Sequence, residues 1–196
     1  MKITKEWLKE KSACGSGMAW FEGEVKEISE FDLLDKLIKT DEKEKLQWAN
    51  WLLSKLFNRK QKIHYTIFAA EQVVDIFEKK YPNDKRPRKA IEAARAVLEN
   101  DTTENRIAAY TAAVAVAAAT AAAYTAADYT AAATAAAYNA AAYAAVDAAD
   151  DAYNAYVYGA VDAAATTAAA YAAVDYKKML VIILNYGIEL LKKEPL

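Results

Sequence analysis

The stretch that decides the fold runs from Ile107 to Tyr176 and reads IAAYTAAVAVAAATAAAYTAADYTAAATAAAYNAAAYAAVDAADDAYNAYVYGAVDAAATTAAAYAAVDY. It consists almost wholly of Ala, Tyr, Thr, Val and Asp, and it contains no Lys, Arg, Leu, Phe or Trp. Ala has the highest intrinsic helix propensity, so the tract is expected to be helical. Because Ala has almost no side chain to bury, helices built from it must pack with their backbones close together.

The tract has an internal repeat that agrees with helix geometry. Tyr110, Tyr124 and Tyr138 follow one another at 14-residue steps, and later steps lengthen to 15 residues. Four turns of α-helix take about 14.4 residues, so this repeat keeps a side chain on one helix face. One continuous helix would be roughly 100 Å long. We therefore predict two or three antiparallel helices, with breaks near residues 128–130 and within 147–159.

The remainder of the chain is richer in large apolar residues. Residues 1–106 carry many Leu and Trp residues at helical spacing. Apolar bulk returns from Lys178 onward, in a last helix predicted to close on that first half and not on the Ala tract. The fold is therefore predicted to be all-α, a single helical bundle domain. Its two parts are a Leu/Trp-rich half, 1–106, and an Ala/Tyr-rich half with the closing helix, 107–196.

Local signals in the first half place several helix boundaries. Thr4 and Ser29 precede apolar-periodic residues and are predicted N-caps, because their hydroxyl oxygens can accept from the free N–H groups of a helix start. One uninterrupted helix is predicted from about Gln61 to Lys80, where Ile, Phe and Val recur at helical spacing. Pro87 suits the first turn of the helix that follows.

Charge is unevenly divided along the chain, although the formal net charge is only -2. Residues 1–106 hold 21 of the 25 basic groups, whereas 107–176 hold six Asp and no base. DNA binding through the Ala-rich half is therefore not expected, because phosphate contacts require Lys or Arg. The same Asp residues argue against a membrane span. A single cysteine, Cys14, suits a reducing compartment, and we expect a cytoplasmic protein.

Three arginines, Arg86, Arg88 and Arg95, cluster near one predicted helix start. Such cations beside free backbone N–H groups could receive an anion. Alternatively, Arg88 can pair with Glu92 and Arg95 with Glu99, because residues four apart are neighbours on a helix. The sequence leaves both interpretations open, with the structural one favoured.

Tyrosines are the most suggestive residues of the Ala-rich tract. Tyr124, Tyr138, Tyr143 and Tyr153 could fill the gaps that Ala leaves, with each hydroxyl reaching solvent or a carbonyl. They could instead line a surface that binds a partner or stacks a planar ligand, because Tyr is enriched at interfaces. We predict them as binding residues, together with the three arginines.

Signs of catalysis or metal binding are weak. His64 and Cys14 have no evident partner with which to form a nucleophile–base pair. Asp147, Asp150 and Asp151 stand at helical spacing, but a di-metal bundle would require Glu-x-x-His pairs and the sequence has none. No enzyme activity, metal or cofactor is therefore expected.

A motif between the two halves indicates a family. Residues 77–96 read FEKKYPNDKRPRKAIEAARA, and this segment, followed by an Ala-rich helical tract with aromatics, resembles the Imm5-like immunity protein family over roughly residues 60–185. The opening residues 2–8, KITKEWL, look like the start of small bacteriophage proteins. The family tract usually carries Arg, Trp or His where this chain has Tyr, Thr and Asp, so a partner would meet a more acidic surface.

The resemblance implies a non-enzymatic binder. We expect an immunity-type inhibitor, encoded by a phage and acting in the host cytoplasm, that sequesters a protein effector. The alternative is a sponge for an anionic cyclic nucleotide, which would stack on Tyr and require bases such as Arg86, Arg88 or Arg95. Flat Ala-rich faces also make a homodimer plausible, because they leave surface that Ala cannot bury well within one chain.

Overall fold

The structure, a computed structural model, describes residues 1–24, 27–40, 42–125, 136–137, 139–142, 144, 154–170 and 175–193. Side chains are described for the same residues except 117–125, 154–156, 158 and 168–170. These residues are mostly α-helical, which confirms the predicted all-α class. The predicted helix break near 128–130 lies outside the described residues, and so does the part of the predicted 147–159 break that precedes Asn154. Residues 154–159 of that window are helical.

The elements are labelled in chain order. They are β1 (Lys2–Thr4), α1 (Lys5–Glu10), α2 (Gly15–Glu24), β2 (Glu27–Ser29), α3 (Glu30–Ile38), α4 (Lys43–Leu56), α5 (Arg59–Glu71), α6 (Val74–Lys80), α7 (Arg86–Glu99), α8 (Thr103–Thr125), α9 (Asn154–Ala170) and α10 (Tyr176–Lys193). Residues 136, 137, 139–142 and 144 are also helical.

Side-chain caps set several of the helix starts. The Thr4 hydroxyl accepts from the Trp7 N–H at 3.3 Å, and the Ser29 hydroxyl accepts from the Asp32 N–H at 3.1 Å, so both predicted N-caps are confirmed. At the start of α5, Asn58 forms a reciprocal capping box with Gln61. This box satisfies two backbone donors at once, and it was not predicted from the sequence.

A short two-stranded ladder is the one departure from the all-α prediction among the described residues. β1 and β2 pair antiparallel, with Ile3 opposite Ile28 and Thr4 opposite Glu27. Ile3 is fully buried. Three-residue strands carry too few residues for a period-two pattern to be recognised. The pairing brings together the two ends of the segment that contains α1 and α2.

The predicted helix from Gln61 to Lys80 is wrong in one respect, because the chain breaks it into α5 and α6. The Val73 N–H donates to the Ala70 carbonyl at 3.2 Å, a tighter bond than the α-helical pattern. Val73 has φ -130° and ψ -8°, which is not helical. Val73 and Val74 are both buried at this bend, so packing of these β-branched side chains outweighs the continuous helical periodicity.

The largest side chains of the core meet where α4, α5 and α10 cross. Tyr65 of α5 is fully buried, and its ring lies 5.2 Å from that of Phe57, edge to face. Gly187 of α10 is buried against them. A Cβ added at Gly187 would lie 2.8 Å from Leu53 Cδ1 and 2.8 Å from Tyr65 Cε2. The absence of a side chain at Gly187 therefore allows α10 to approach this closely.

The last helix departs from the prediction about its packing. α10 packs on α3, α4 and α5 of the first half, as expected, but it also packs on the Ala-rich α9. The Tyr176 hydroxyl at the start of α10 donates to Asp162 Oδ1 of α9 at 2.5 Å. The buried residues of α9 are small, which allows neighbouring helices to lie close; they are Val157, Ala160, Val161, Ala164, Ala165 and Thr167.

α7 and α8 form a close helix pair at the junction of the two halves. Each helix buries three small residues at helical i, i+4, i+7 spacing, which places them on one face. They are Ala90, Ala94 and Val97 on α7 and Ala109, Ala113 and Val116 on α8. The expected close packing of Ala-rich helices is therefore present in this pair.

Candidate functional site

The three predicted arginines all lie on α7, and each is held by a carboxylate. Arg88 forms a fork with Glu78 of α6, with Nε and Nη2 donating to the two carboxylate oxygens at 2.8 and 2.7 Å. Its Nη2 also donates to Asp75 Oδ1 at 2.7 Å. Bidentate arginine–carboxylate pairs of this kind are among the stronger hydrogen-bonded contacts in proteins. Arg88 therefore fastens α7 to α6.

The sequence-level pairing of these arginines was wrong in its partners. Arg88 pairs with residues of α6 and not with Glu92, and Arg95 pairs with Glu71 of α5 and not with Glu99. Residues four apart on a helix are always close enough to pair. Here the packing of α5 and α6 against α7 supplies carboxylates in better positions, and helix periodicity alone could not show this.

Arg86 is bound within its own turn. Its Nε and Nη2 donate to the Asp84 carboxylate at 2.9 and 2.5 Å, and its backbone N–H donates to Asp84 Oδ1 at 3.1 Å. Hydrogen bonding from Arg86 lowers the pKa of Asp84, and hydrogen bonding from Arg88 lowers the pKa of Glu78. An incoming anion would have to displace a well-stabilised carboxylate at either arginine.

The Glu78–Arg88 pair leads to a pH prediction. Because the pKa of Glu78 is lower in the folded protein, the pair stabilises the fold above the ordinary glutamate pKa of about 4.3. The contribution is lost as the pH falls below that value and through the lowered pKa of Glu78, because the carboxylate is then protonated. It should be about 1 kcal/mol or less, because Arg88 is 40% exposed.

Arg88→Met should therefore lower the free energy of unfolding at neutral pH and reduce its loss on acidification. Urea unfolding at neutral pH and near pH 3 measures both effects, with Lys192→Met on the exposed Lys192–Glu189 pair as the control. An equal effect of Arg88→Met at the two pH values would contradict this assignment.

The predicted binding tyrosines lie outside what the structure describes at side-chain level. The backbone of Tyr124 lies in α8, but its side chain is not described. Tyr138, Tyr143 and Tyr153 lie outside the described residues. Their role in binding stays a prediction. The carboxylates Asp147, Asp150 and Asp151 likewise lie outside the described residues.

α8 presents a stripe of exposed apolar side chains that sequence reasoning did not single out. Ile107, Tyr110 and Val114 are 60%, 64% and 52% exposed. Their i, i+3, i+7 spacing places them on one helix face, away from the buried face that packs on α7. We call these three residues the α8 stripe. The signal was present in the sequence, because they are bulkier than the alanines around them and follow the helical period.

Two charged residues of α8, Glu104 and Arg106, stand one helical turn before Ile107 and Tyr110, and the rest of the helix beyond them is uncharged. Residues 107–125 contain no Lys, Arg, Asp or Glu. Just before the stripe, Arg106 Nε donates to Asp101 Oδ1 at 2.6 Å, and Arg59 Nη1 donates to Asp101 Oδ2 at 2.6 Å. These contacts fix the start of α8 to α5. The α8 stripe is therefore an exposed apolar surface on a helix whose start is joined to α5 by ion pairs.

The described part of the chain offers few groups suited to catalysis or metal binding. There, no group of three or more His, Cys, Asp or Glu side chains is placed to hold a metal ion. Within the same part, no helix is sufficiently long and apolar to cross a membrane. Cys14 is exposed, with its Sγ 3.5 Å from the Ser16 hydroxyl.

Comparison with protein families gives a match over most of the chain. The family described as "Imm-5 like putative immunity protein" matches residues 52–189. This range contains α5 to α9, most of α10, the three arginines and the α8 stripe. Comparison with curated proteins and with solved structures finds no match.

Proposed function

The chain belongs to the Imm5-like immunity protein family, and we propose that it neutralises a protein effector by binding and sequestering it, without turnover. The observation that carries this proposal is the α8 stripe, which lies inside the family-matched range. Large apolar side chains grouped on a protein surface mark interaction sites more often than isolated ones do.

The α8 stripe has the composition of a binding anchor. Tyr110 offers a broad ring with a polar hydroxyl, and Ile107 and Val114 flank it on the same helix face. A few such residues typically carry most of the energy of a protein interface. An amphipathic helix face with anchors at i, i+3 and i+7 is a recurrent mode of recognition between proteins. The effector is therefore expected to present an apolar groove or pocket to α8.

Removing these anchors should abolish effector capture. We expect Tyr110→Ala to weaken binding by about 30-fold, because hot-spot residues contribute about 2 kcal/mol or more. The combined variant Ile107→Ser/Tyr110→Ala/Val114→Ser should capture no effector. Affinity purification from host lysate at low salt identifies the stoichiometric partner, and calorimetry with that purified partner then measures the affinities.

Ile182→Ser is the matched control, because Ile182 of α10 is also an exposed large apolar residue, at 42%. It lies on a different helix and should leave effector binding unchanged. Recovery of no stoichiometric protein at low salt would count against effector sequestration. Full binding by the combined α8 variant would instead show that the effector uses another surface.

The alternative of a cyclic-nucleotide sponge has less support. Arg86, Arg88 and Arg95 each already contact a carboxylate, so they are not arranged to receive a phosphate. Calorimetry with a panel of cyclic nucleotides tests this alternative directly. A heat of binding that saturates with one of the nucleotides would favour the sponge. The absence of a binding heat with every nucleotide would exclude it.

Two further parts of the proposal concern assembly and setting. A homodimer could form through the α8 stripe, and light scattering with the combined α8 variant tests this, because a stripe-mediated dimer would become a monomer. We also propose a phage-encoded protein acting in the host cytoplasm, from the resemblance of residues 2–8 to the start of phage proteins. Imaging a tagged protein in the host tests the location.

A further inference from the structure

A cavity of about 370 Å³ lies among the N-terminal helices, away from the α8 stripe. Its walls come from α1, α2, α3 and α4 and from the turn between α1 and α2. Three of the four tryptophans of the chain line it, Trp20, Trp48 and Trp51. Leu8 and Phe21 contribute buried apolar surface. Its volume lies within the range of small-molecule binding sites, which is about 300–1,000 Å³.

A few polar groups line the same cavity. Glu44, at the start of α4, is exposed and supplies the only carboxylate among the described lining residues. The Ser16 hydroxyl donates to Glu44 Oε1 at 3.0 Å, which orients this carboxylate. The Gln47 amide, the Ser12 hydroxyl and the exposed Cys14 thiol complete the polar set. An apolar cavity with few, grouped polar atoms is the usual composition of a small-molecule site.

We propose that this cavity binds a small, flat aromatic compound that carries a protonated amine. The tryptophan rings supply apolar faces on which a flat ring stacks. Glu44 accepts a charge-assisted hydrogen bond from the ammonium group, and such bonds are roughly twice as strong as neutral ones. The aromatic rings also attract the cation electrostatically. Shape and charge thus select the same class of ligand.

Two lysine ammonium groups of the protein already lie near one of these rings, within the usual distance of a cation–π contact. Lys36 Nζ and Lys45 Nζ lie 5.8 and 5.6 Å from the centre of the Trp20 ring. Each of these lysines also pairs with a carboxylate of its own, Glu24 or Glu42. The carboxylates that these two lysines contact are Glu24 and Glu42, and not Glu44. The negative charge of Glu44 therefore complements a cationic ligand.

The cavity is separate from the part of the chain that carries family membership. Of the residues that line it, only Leu52 falls within the matched range of 52–189. The site therefore lies almost wholly within residues 1–51, before the matched range. Its occupancy and effector capture by α8 can be tested independently.

A series of three probes with the same ring and different charge tests the proposal on the full chain. Phenethylammonium is the cationic probe, phenethyl alcohol is its neutral counterpart, and hydrocinnamate is anionic. Binding is followed by quenching of tryptophan fluorescence and by the rate at which iodoacetamide alkylates Cys14. We expect the cation to bind about tenfold more tightly than the alcohol, a difference of about 1.4 kcal/mol, with the anion weakest. The cation should also slow alkylation of Cys14.

Glu44→Gln separates the charge effect from ring stacking. It should bring the cation to the affinity of the alcohol and leave the affinity of the alcohol unchanged. Glu22→Gln is the matched control, because Glu22 is an exposed glutamate of α2 that pairs with Lys5 and does not line the cavity. It should retain the tenfold preference. Trp20→Leu should weaken all three probes, and thermal melts establish that each variant is folded.

Several results would overturn the proposal. These are equal affinities for the three probes, no binding of the cation, no protection of Cys14, or an undiminished cation preference in Glu44→Gln. The combined α8 variant should bind phenethylammonium like the wild type. Ligand binding in the cavity and effector capture by α8 can therefore succeed or fail separately in these experiments.

Discussion

Tyr65→Ala is expected to lower the free energy of unfolding by about 3–5 kcal/mol, the usual cost of deleting a large buried ring. Tyr65 is fully buried, contacts Phe57 edge to face and lies against Gly187. The loss leaves a cavity at the crossing of α4, α5 and α10. Because one kcal/mol shifts the melting temperature of a chain of this size by about 2–4 °C, the melting temperature should fall by roughly 10 °C. Urea unfolding followed by circular dichroism measures the effect.

Two control substitutions divide this effect into its parts. Tyr65→Phe keeps the ring but removes the hydroxyl, which donates to Asn50 Oδ1 at 3.1 Å. Because Asn50 is only 2% exposed, its unsatisfied acceptor should cost about 1–3 kcal/mol. Tyr110→Ala makes the same change as Tyr65→Ala at a 64% exposed site and should stay within about 0.5 kcal/mol. An equal loss in Tyr65→Ala and Tyr110→Ala would contradict the described core.

Ala109→Leu is expected to destabilise the protein by about 1–3 kcal/mol, because added methylenes do not fit a closely packed seam. Ala109 is fully buried on α8, the helix that packs closely on α7. The neighbouring residue Ala108 is exposed. Ala108→Leu adds the same atoms to the same helix and should change stability by less than about 0.5 kcal/mol.

Thermal melts of the two single variants decide between a packed seam and a loosely associated helix. If Ala109→Leu melts at or above the wild type, α8 does not pack on α7 as described. The same reasoning predicts that Ala-to-Leu changes within 131–137 destabilise more than Tyr124→Phe or Tyr138→Phe. Of that window, Ala136 and Ala137 are described, and both are fully buried. Its other residues lie outside the described part.

The candidate site was only partly predictable from the sequence. The arginines of the motif were predicted as binding residues, with pairing along α7 as the other interpretation, and Arg88 and Arg95 find their partners on α6 and α5 instead. Local spacing shows which carboxylates can pair, whereas the packing of separate helices decides which ones do. The α8 stripe has a clear helical period, but exposure depends on which face of α8 lies against α7. The tryptophan cavity required α2, α3 and α4 to be assembled before it existed.

The sequence by itself determined that this chain is mostly helical and where several helices begin. Ala-rich composition favours helix through backbone propensity, and Thr4 and Ser29 cap helices through contacts within one turn, so both signals are local. Tertiary structure decided the pairing of β1 with β2, the break between α5 and α6 and the contact of α10 with α9. Each of these depends on residues far apart in sequence. Periodicity defines which side chains share a face, but only packing decides which face is covered and which remains free to bind.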